Sequence, residues 1–549
     1  MTTFPETTHA VQNQAEPRVN VNEYRANPAL LEAVAAYAST ADHAVLDEIG
    51  AHIGTETFQH AAETVNTQTP ELHTHDRWGH RIDHVEFHPA YHDIMRATLS
   101  YGSHSLGWTK PGANAERAAR FSLFAQIEPG HACPVSMTHA AVPSLIGTEL
   151  EEFWVPKLTS NAYDPRLIDP AEKQAVTFGM AMTEKQGGSD VRANSTLAEP
   201  SGDHYQLTGH KWFCSAPQSD AFLVLAHLPQ GLSCFLVPRV LPGGERNPFY
   251  IQRLKNKLGN KSNASSEIEL NGTHGWLVGE PGRGVRTIIE MVARTRLDCV
   301  IGSTAGMRQA VAEAAWHARG RAAFGATLID QPLMRSVLAD LQLEAEAATW
   351  TMMHVAAAHD DETVDGQAFR RIATAIAKYW ICKRGPGHAY EALECLGGNG
   401  YTEDFPLARR YREQPVLAVW EGSGNVIVLD VIRAMGRDPH SVKALTTFFE
   451  GALGTHALYD ARYDRLAGEV QQAMTALASQ DATAEADVQR HGRVLVEDLA
   501  LMLQAAILIQ HAPQEIAASF VLARLSENGG HLYGAMPDGV ALDVLIDRA

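Results

Sequence analysis

Cysteine is scarce and scattered in this chain: Cys133, Cys214, Cys234, Cys299, Cys382 and Cys395 stand singly among 549 residues, with no Cys-x-x-Cys pair. That excludes a disulfide scaffold and a thiolate zinc site and suits reduced thiols in a cytoplasm. Long apolar runs are missing too. The longest, LALMLQAAILIQ at 499–510, is far short of the roughly 20 residues that a bilayer span needs. The polar opening MTTFPETTHAVQNQAEPRVN reads as neither a signal nor a transit peptide. Positive charge is in short supply: 45 Lys and Arg face 64 Asp and Glu, a net charge of −19. A dedicated nucleic-acid binder usually carries the opposite balance. There is no internal repeat and no low-complexity block. These absences predict a soluble, cytoplasmic protein without a membrane partner.

What is present is an ordinary folded composition, 45% hydrophobic and 20% charged, long enough for about three or four domains. The pattern predicts an α+β multidomain chain. Residues 1–20 are polar and aperiodic, a flexible arm. Residues 21–174 carry helical spacing, as in LLEAVAAYAST and YHDIMRATLSYG. From 175 to 280 the texture changes to short apolar or alternating segments, VTFGMAMT, HYQLTGHKWFCS, DAFLVLAHL, LSCFLVPRVL and SSEIELNGTHGWLVG, split by turn formers. They predict a small β-barrel or sandwich. Helical period returns over 281–436, a bundle in which Leu333, Val337, Leu341, Ala345 and Met352 keep to one face. A break at Gly436-Arg437-Asp438-Pro439 precedes a further helical section, 437–549.

Four short segments could carry chemistry. Met182-Thr183-Glu184-Lys185-Gln186-Gly187-Gly188-Ser189-Asp190-Val191 follows a strand. Paired glycines allow close backbone approach, and hydroxyls with open N–H groups can grip phosphate or a polar ring edge. It is neither a dinucleotide G-x-G-x-x-G nor a Walker loop, so nicotinamide and ATP gain no support. Trp420-Glu421-Gly422-Ser423-Gly424-Asn425 precedes an apolar helical run. Ser423 could cap that helix and Glu421 could be a buried base, although an acid near a helix start is favourable by itself. Arg321-Ala322-Ala323-Phe324-Gly325 with Gln331, and Leu396-Gly397-Gly398-Asn399-Gly400-Tyr401, look singly like helix ends and loops.

Together and in this order the segments resemble the acyl-CoA dehydrogenase family over about residues 30–436. Within it, GHKWF, PQSDA, LKNKLGNKSNAS, ICKRG, WEGSGN and the C-terminal section resemble the AidB-like branch of bacterial alkylation-response flavoproteins. The resemblance implies a homotetrameric, FAD-binding oxidoreductase, a dimer of dimers. Met182, Thr183, Gly188 and Ser189 would line one flavin wall, Phe213 and Ser215 would flank the ring, and Trp420, Gly422, Ser423 and Asn425 would contact the cofactor from the helix start. Arg321, Phe324, Gln331, Gly397 and Gly398 would hold the adenine and pyrophosphate half across a subunit interface. The implied reaction is α,β-dehydrogenation of an acyl-CoA, slow and isovaleryl-CoA-like, or of another substrate, with Glu421 as base. The family's other base position matches Thr295-Arg296 here, with no carboxylate. Glu394 stands where many relatives carry Gln.

The resemblance also raises an alternative, a DNA-binding flavoprotein protecting or repairing double-stranded DNA under alkylation stress. Phosphate neutralisation needs clustered cations, yet residues 441–549 hold seven Lys and Arg against fourteen Asp and Glu, a net −7. Arg253, Lys255, Lys257 and Lys261 form a second basic run, read as a solvated loop. His73, His75, His80, His84, His88 and His92 crowd one span, the last four stepping by four as on a helix, but Pro89 interrupts them and no metal is expected.

Overall fold

The computed structural model describes residues 8–549. The N-terminal region holds α1 (Pro28–Tyr37), α2 (His43–Gly54), α3 (Glu56–Thr67), a hairpin of β1 (Glu71–His75) and β2 (Arg81–Glu86), then α4 (Pro89–Ser100), α5 (Leu106–Thr109), α6 (Asn114–Ile127), α7 (Ala132–Leu145) and α8 (Glu151–Leu158). Asn27, Asp42 and Thr55 start the first three helices by accepting backbone N–H bonds with their side chains. Helices α6 and α7 are buried on nearly every face, so they form the centre of this region.

Two expectations need correction here. Residues 71–86 are a β-hairpin with His73 opposite His84, so the four-residue histidine recurrence is not a helical face. Pro89 breaks nothing: it opens α4 in the first turn, where its missing N–H is harmless, and His88 caps the same turn. Among the described residues no three His, Cys, Asp or Glu side chains converge as a metal site. The supposed arm is the second case. Residues 1–7 lie outside the described residues, and 8–12 are exposed, but 13–20 are tied down. Asn13 exchanges bonds of 2.7 and 2.8 Å with the Ala322 backbone, Glu16 accepts from Trp316 at 2.8 Å, and Arg18 is buried against Glu23.

Seven strands form the middle region: β3 (Phe178–Ala181), β4 (Leu197–Ser201), β5 (His204–Ser215), β6 (Ala221–Leu228), β7 (Gly231–Pro238), β8 (Phe249–Leu254) and β9 (Ser265–Val278). The pairing runs β6–β4–β5–β9–β7 and returns to β6, with β3 added to β6 and β8 to β9. The ring closes into a barrel, which removes the exposed edges of an open sheet. β6 and β7 are buried almost throughout, which is why they read as continuous apolar runs.

The bundle comprises α9 (Gly284–Gly320), a short hairpin of β10 (Ala322–Ala323) and β11 (Ala326–Thr327), α10 (Pro332–Ala358), α11 (Val364–Glu394), α12 (Pro406–Leu417) and α13 (Gly424–Arg437). On α10, Leu341, Ala345 and Met352 are buried as expected and Val337 half-buried, but Leu333 is 84% exposed, so the core stripe starts one turn later. Asp438 then caps α14 (Pro439–Glu450). The extension continues through α15 (Ala457–Ala478), α16 (Ala482–His511), α17 (Gln514–Leu525) and α18 (Leu542–Asp547). It is fastened to the rest of the chain by Arg548, which binds Glu32 at 2.6 Å and Glu346 at 2.9 Å, and by Arg524, which binds Glu344 at 3.0 Å. The apolar run at 499–510 is the buried middle of α16, and among the described residues no helix is long and apolar enough to cross a membrane.

Candidate active site

The loop from α12 to α13 turns sharply at Glu421 (φ 59°) and Gly422 (φ 113°). A left-handed non-glycine residue costs of order 1–3 kcal/mol and persists only where its surroundings hold it. Three contacts do so. Thr295 Oγ1 donates to Glu421 Oε2 at 2.8 Å, Arg296 Nε donates to the Glu421 carbonyl at 3.0 Å, and the buried Lys378 ammonium donates to the Gly422 carbonyl. Arg296 is itself fixed by Asp430 at 2.7 Å, which also takes Arg371 at 2.8 Å. Helices α9, α11 and α13 therefore all contribute to holding the turn that carries this carboxylate.

That carboxylate lies deep in the protein, although the residue as a whole is only half-buried. Burial pushes its pKa above the usual carboxylate value, and the Thr295 hydroxyl, Arg296 and Lys378 pull the other way. A carboxylate so balanced can ionise and still hold a proton well, as a general base must.

Its neighbourhood gathers residues distant in sequence. Trp420 and Met182 pack against one apolar cluster containing Cys133, Met137 and Met291. The Cys133 thiol, pushed up to about 11 by burial, feels both the Glu421 carboxylate and the Ser215 hydroxyl. Ser215 Oγ lies 3.4 Å from Ser265 Oγ, and Phe213, on the opposite side of the β5 backbone from Cys214, is 51% exposed. Gly188 folds back on Thr183 so closely that a Cβ would lie 2.6 Å from Thr183 Oγ1, and Ser189 is exposed beyond it.

Glu184, in the middle of the same segment, escaped sequence reasoning. It is buried, and accepts from Lys211 at 2.7 Å, Thr196 Oγ1 at 2.6 Å and the Ser195 N–H at 2.6 Å. Burial alone would raise its pKa, but these partners outweigh it and hold the carboxyl well below the usual range. It staples the glycine loop to β5. The signal was the lysine inside GHKWF, a strand position that needs a buried counter-charge.

At the helix start, Ser423 does not cap α13; its side chain makes no cap bond and is exposed. The first N–H groups of α13 are left without that partner. Asn425 is exposed with its Oδ1 occupied by Arg493.

Arg321, Phe324 and Gln331 lie elsewhere. Phe324 (φ 51°) and Gly325 (φ 86°) form the tip of the β10–β11 hairpin, with the Phe324 ring fully exposed. Gln331 Nε2 supports the hairpin through the Ala323 carbonyl at 2.9 Å, and Arg321 donates to the Asn13 carbonyl at 2.8 Å. From Thr295 to Arg321 along α9 is about 40 Å, so this group cannot join Glu421 within one chain. Gly397 (φ 60°) and Gly398 have open space where a side chain would begin. Lys378 meets the Glu421 turn beside Thr295, and Gly385 meets Ser303, so α9 and α11 run in the same direction. Arg321 and Gly397 thus share one end of the bundle. Glu394, also near that end, is exposed. A depression of about 560 Å³ on the barrel, lined by Arg81, Lys185, His210, Tyr250, Glu269 and Asn271 among others, contains none of these residues.

Known proteins place this arrangement. The chain matches the adaptive response protein AidB N-terminal domain over residues 13–165, the acyl-CoA dehydrogenase middle domain over 179–273 and the acyl-CoA dehydrogenase C-terminal domain over 282–436. It is 42% identical over 530 residues to AidB of Escherichia coli (strain K12), covering 95% of each chain. It is 29% identical over 502 residues to acyl-CoA dehydrogenase family member 11 of Caenorhabditis elegans, covering 86% of this chain and 81% of that one. In three dimensions it resembles Caenorhabditis elegans ACDH-11, solved in complex with C11-CoA, with a TM-score of 0.83 at 26% identity over 94% of this chain and 93% of that one. The chain belongs to the acyl-CoA dehydrogenase family of FAD-dependent oxidoreductases. Within that family it is AidB-like, in its N-terminal domain and along nearly its whole length.

Proposed function

We propose that the chain dehydrogenates an acyl-CoA thioester at its α and β carbons, with Glu421 as the base. The observation that carries this is a carboxylate of raised pKa, held in a left-handed turn beside the neighbourhood that Met182, Ser215 and Trp420 share. FAD, when bound, supplies the acceptor for the hydride leaving the β carbon. Glu421 takes the α-proton, and its backbone N–H polarises the thioester oxygen, which makes that proton more acidic. Thr295 and Arg296 fix the carboxylate and its turn.

The residues present fit FAD. Met182, Thr183, Gly188, Ser189, Phe213 and Ser215 offer a wall of mixed polar and apolar character. Trp420 has a buried Nε1 with no hydrogen-bond partner among the described residues. Gly422 leaves the turn open, and Ser423 with the N–H groups opening α13 suits a charged diphosphate. Arg321, Phe324, Gln331, Gly397 and Gly398 suit the adenine half only when a second copy brings them, so a homotetramer, as a dimer of dimers, is part of the proposal. Exposed Phe324, Leu333 and Tyr401, the latter two at 84%, support a covering partner there. Six buried, unpaired cysteines support a cytoplasmic setting. The ligand of the ACDH-11 structure supports a CoA thioester as substrate, and we take a short branched acyl group such as isovaleryl as the slow substrate.

Binding to DNA is not favoured. Of the seven cations in 441–549, Arg462, Arg465, Arg490, Arg524 and Arg548 face carboxylates within 4.0 Å. In the barrel run, Arg253 and Lys255 share Glu267 at 2.8 and 2.6 Å, and Lys257 is turned inward to the Asn263 carbonyl and Ser265. The test is the absorption spectrum of the purified protein, followed by anaerobic addition of isovaleryl-CoA and other short thioesters. Bleaching of a bound flavin is expected. A preparation that stays colourless after reconstitution, or a flavin untouched by every thioester, overturns the proposal.

A further inference from the structure

One residue of the C-terminal extension reaches back to the Glu421 turn. Helix α16 meets α13 at Gly492, where a Cβ would come within 2.7 Å of Ile432 and 2.8 Å of Val428. The close approach delivers the next residue, Arg493, to the start of α13. Its Nε and Nη2 donate to Asn425 Oδ1 at 3.0 and 2.7 Å. Among the described residues no carboxylate lies within ion-pair distance of Arg493, unlike the five arginines around it in the extension. Lys383, also without an ion-pair partner among the described residues, has its ammonium 3.2 Å from where a Gly424 side chain would begin. Lys378 donates to the Gly422 carbonyl of the same turn.

A carboxamide has an acceptor at one end and two donors at the other. With its oxygen taken twice by one guanidinium, Asn425 must present its NH₂ away from Arg493, as a donor. We infer that Arg493 is a positioning residue: it fixes Asn425 as a hydrogen-bond donor toward the phosphate-bearing part of the flavin cofactor and, with Lys383, adds positive charge where α13 begins. This inference rests on the flavin site proposed above. It gives the extension a part in holding the cofactor, supplied by a segment beyond the residues that match the acyl-CoA dehydrogenase C-terminal domain.

The experiment is an FAD titration of apo-protein, read by quenching of flavin fluorescence, on wild type, Arg493→Ala, Asn425→Ala, the double variant and Arg493→Lys. Each alanine variant is expected to weaken FAD about five- to tenfold. The double variant is expected to lose more than Asn425→Ala alone but clearly less than the two single losses combined, because Arg493 acts chiefly through that amide and otherwise only by its charge. Arg493→Lys recovers part of the loss, keeping the charge without the fork. Arg490→Ala, one turn earlier on α16 and paired with Asp487, leaves the affinity unchanged. Arg493→Gln replaces the alanine variant if that does not fold. Wild-type affinity in Arg493→Ala, or fully additive losses in the double variant, overturns this inference alone. A wild-type chain that takes up no FAD overturns the flavin site and this inference with it.

Discussion

The chemistry of a single side chain depends on what surrounds it, and Glu421 is the case in point. Its pKa in the folded chain lies above the usual carboxylate value. Between those two values the folded chain keeps a proton that the unfolded chain has released. Stability from this group is thus fully present below the usual value and lost as pH rises through the raised one. Activity has the opposite sign, since a base must be ionised to act. The acid limb of the anaerobic bleaching rate is expected above pH 4.5, the ordinary glutamate value. Thr295→Val removes a bond that favours the ionised form and is expected to move that limb to higher pH. A limb unmoved by this substitution shows that the hydroxyl does not tune the base. Glu421 stood out in the sequence by its place in a motif. Thr295 and Arg296 entered only as the family's other base position and Lys378 not at all; their contacts with the Glu421 turn were hidden, because only folding brings α9 and α11 beside it.

Elements show where sequence patterns are clear and where they fail. Strands β3, β5, β6, β7 and β9 are legible because their faces alternate or are wholly buried. Strands β4, LAEPS, and β8, FYIQRL, are not: one contains proline, and the other pairs along only one edge. The first hairpin was hidden by a chance four-residue spacing of histidines. The glycine loop is held by the Glu184–Lys211 pair, whose side chains are both 0% exposed. Lys211→Met leaves a buried carboxylate without its cation, a loss of about 3–5 kcal/mol, to be read by chemical denaturation together with loss of bound flavin. An unchanged denaturation midpoint counts against the staple. At the β10–β11 tip, Phe324 bears left-handed strain for a ring that is fully exposed. Phe324→Asn is expected to stabilise the apo-protein by about 1 kcal/mol and to weaken FAD retention. Stabilisation with undiminished retention removes Phe324 from the cofactor site.

At the scale of the molecule, the order of regions was legible throughout, while the choice of a closed barrel over a sandwich and the placement of the extension came only with coordinates. The distance of about 40 Å along α9 is the physical ground for proposing that the cofactor site is divided between copies of the chain, a division that the motifs implied only through their family resemblance. Charge accounting also changes on folding: a section already acidic in composition spends most of its few cations on internal carboxylates. Duplex DNA is therefore expected to show no measurable retention between 50 and 200 mM salt, where a protein making several phosphate contacts loses affinity steeply with salt. Salt-sensitive retention in filter assays contradicts this. The central claim is that one carboxylate removes the α-proton beside a bound flavin. Its most direct test is the rate of anaerobic flavin bleaching by isovaleryl-CoA in wild type and Glu421→Gln at matched FAD content. A fall of about 10²- to 10⁴-fold with FAD still bound is the expected result; a variant that bleaches at the wild-type rate contradicts it.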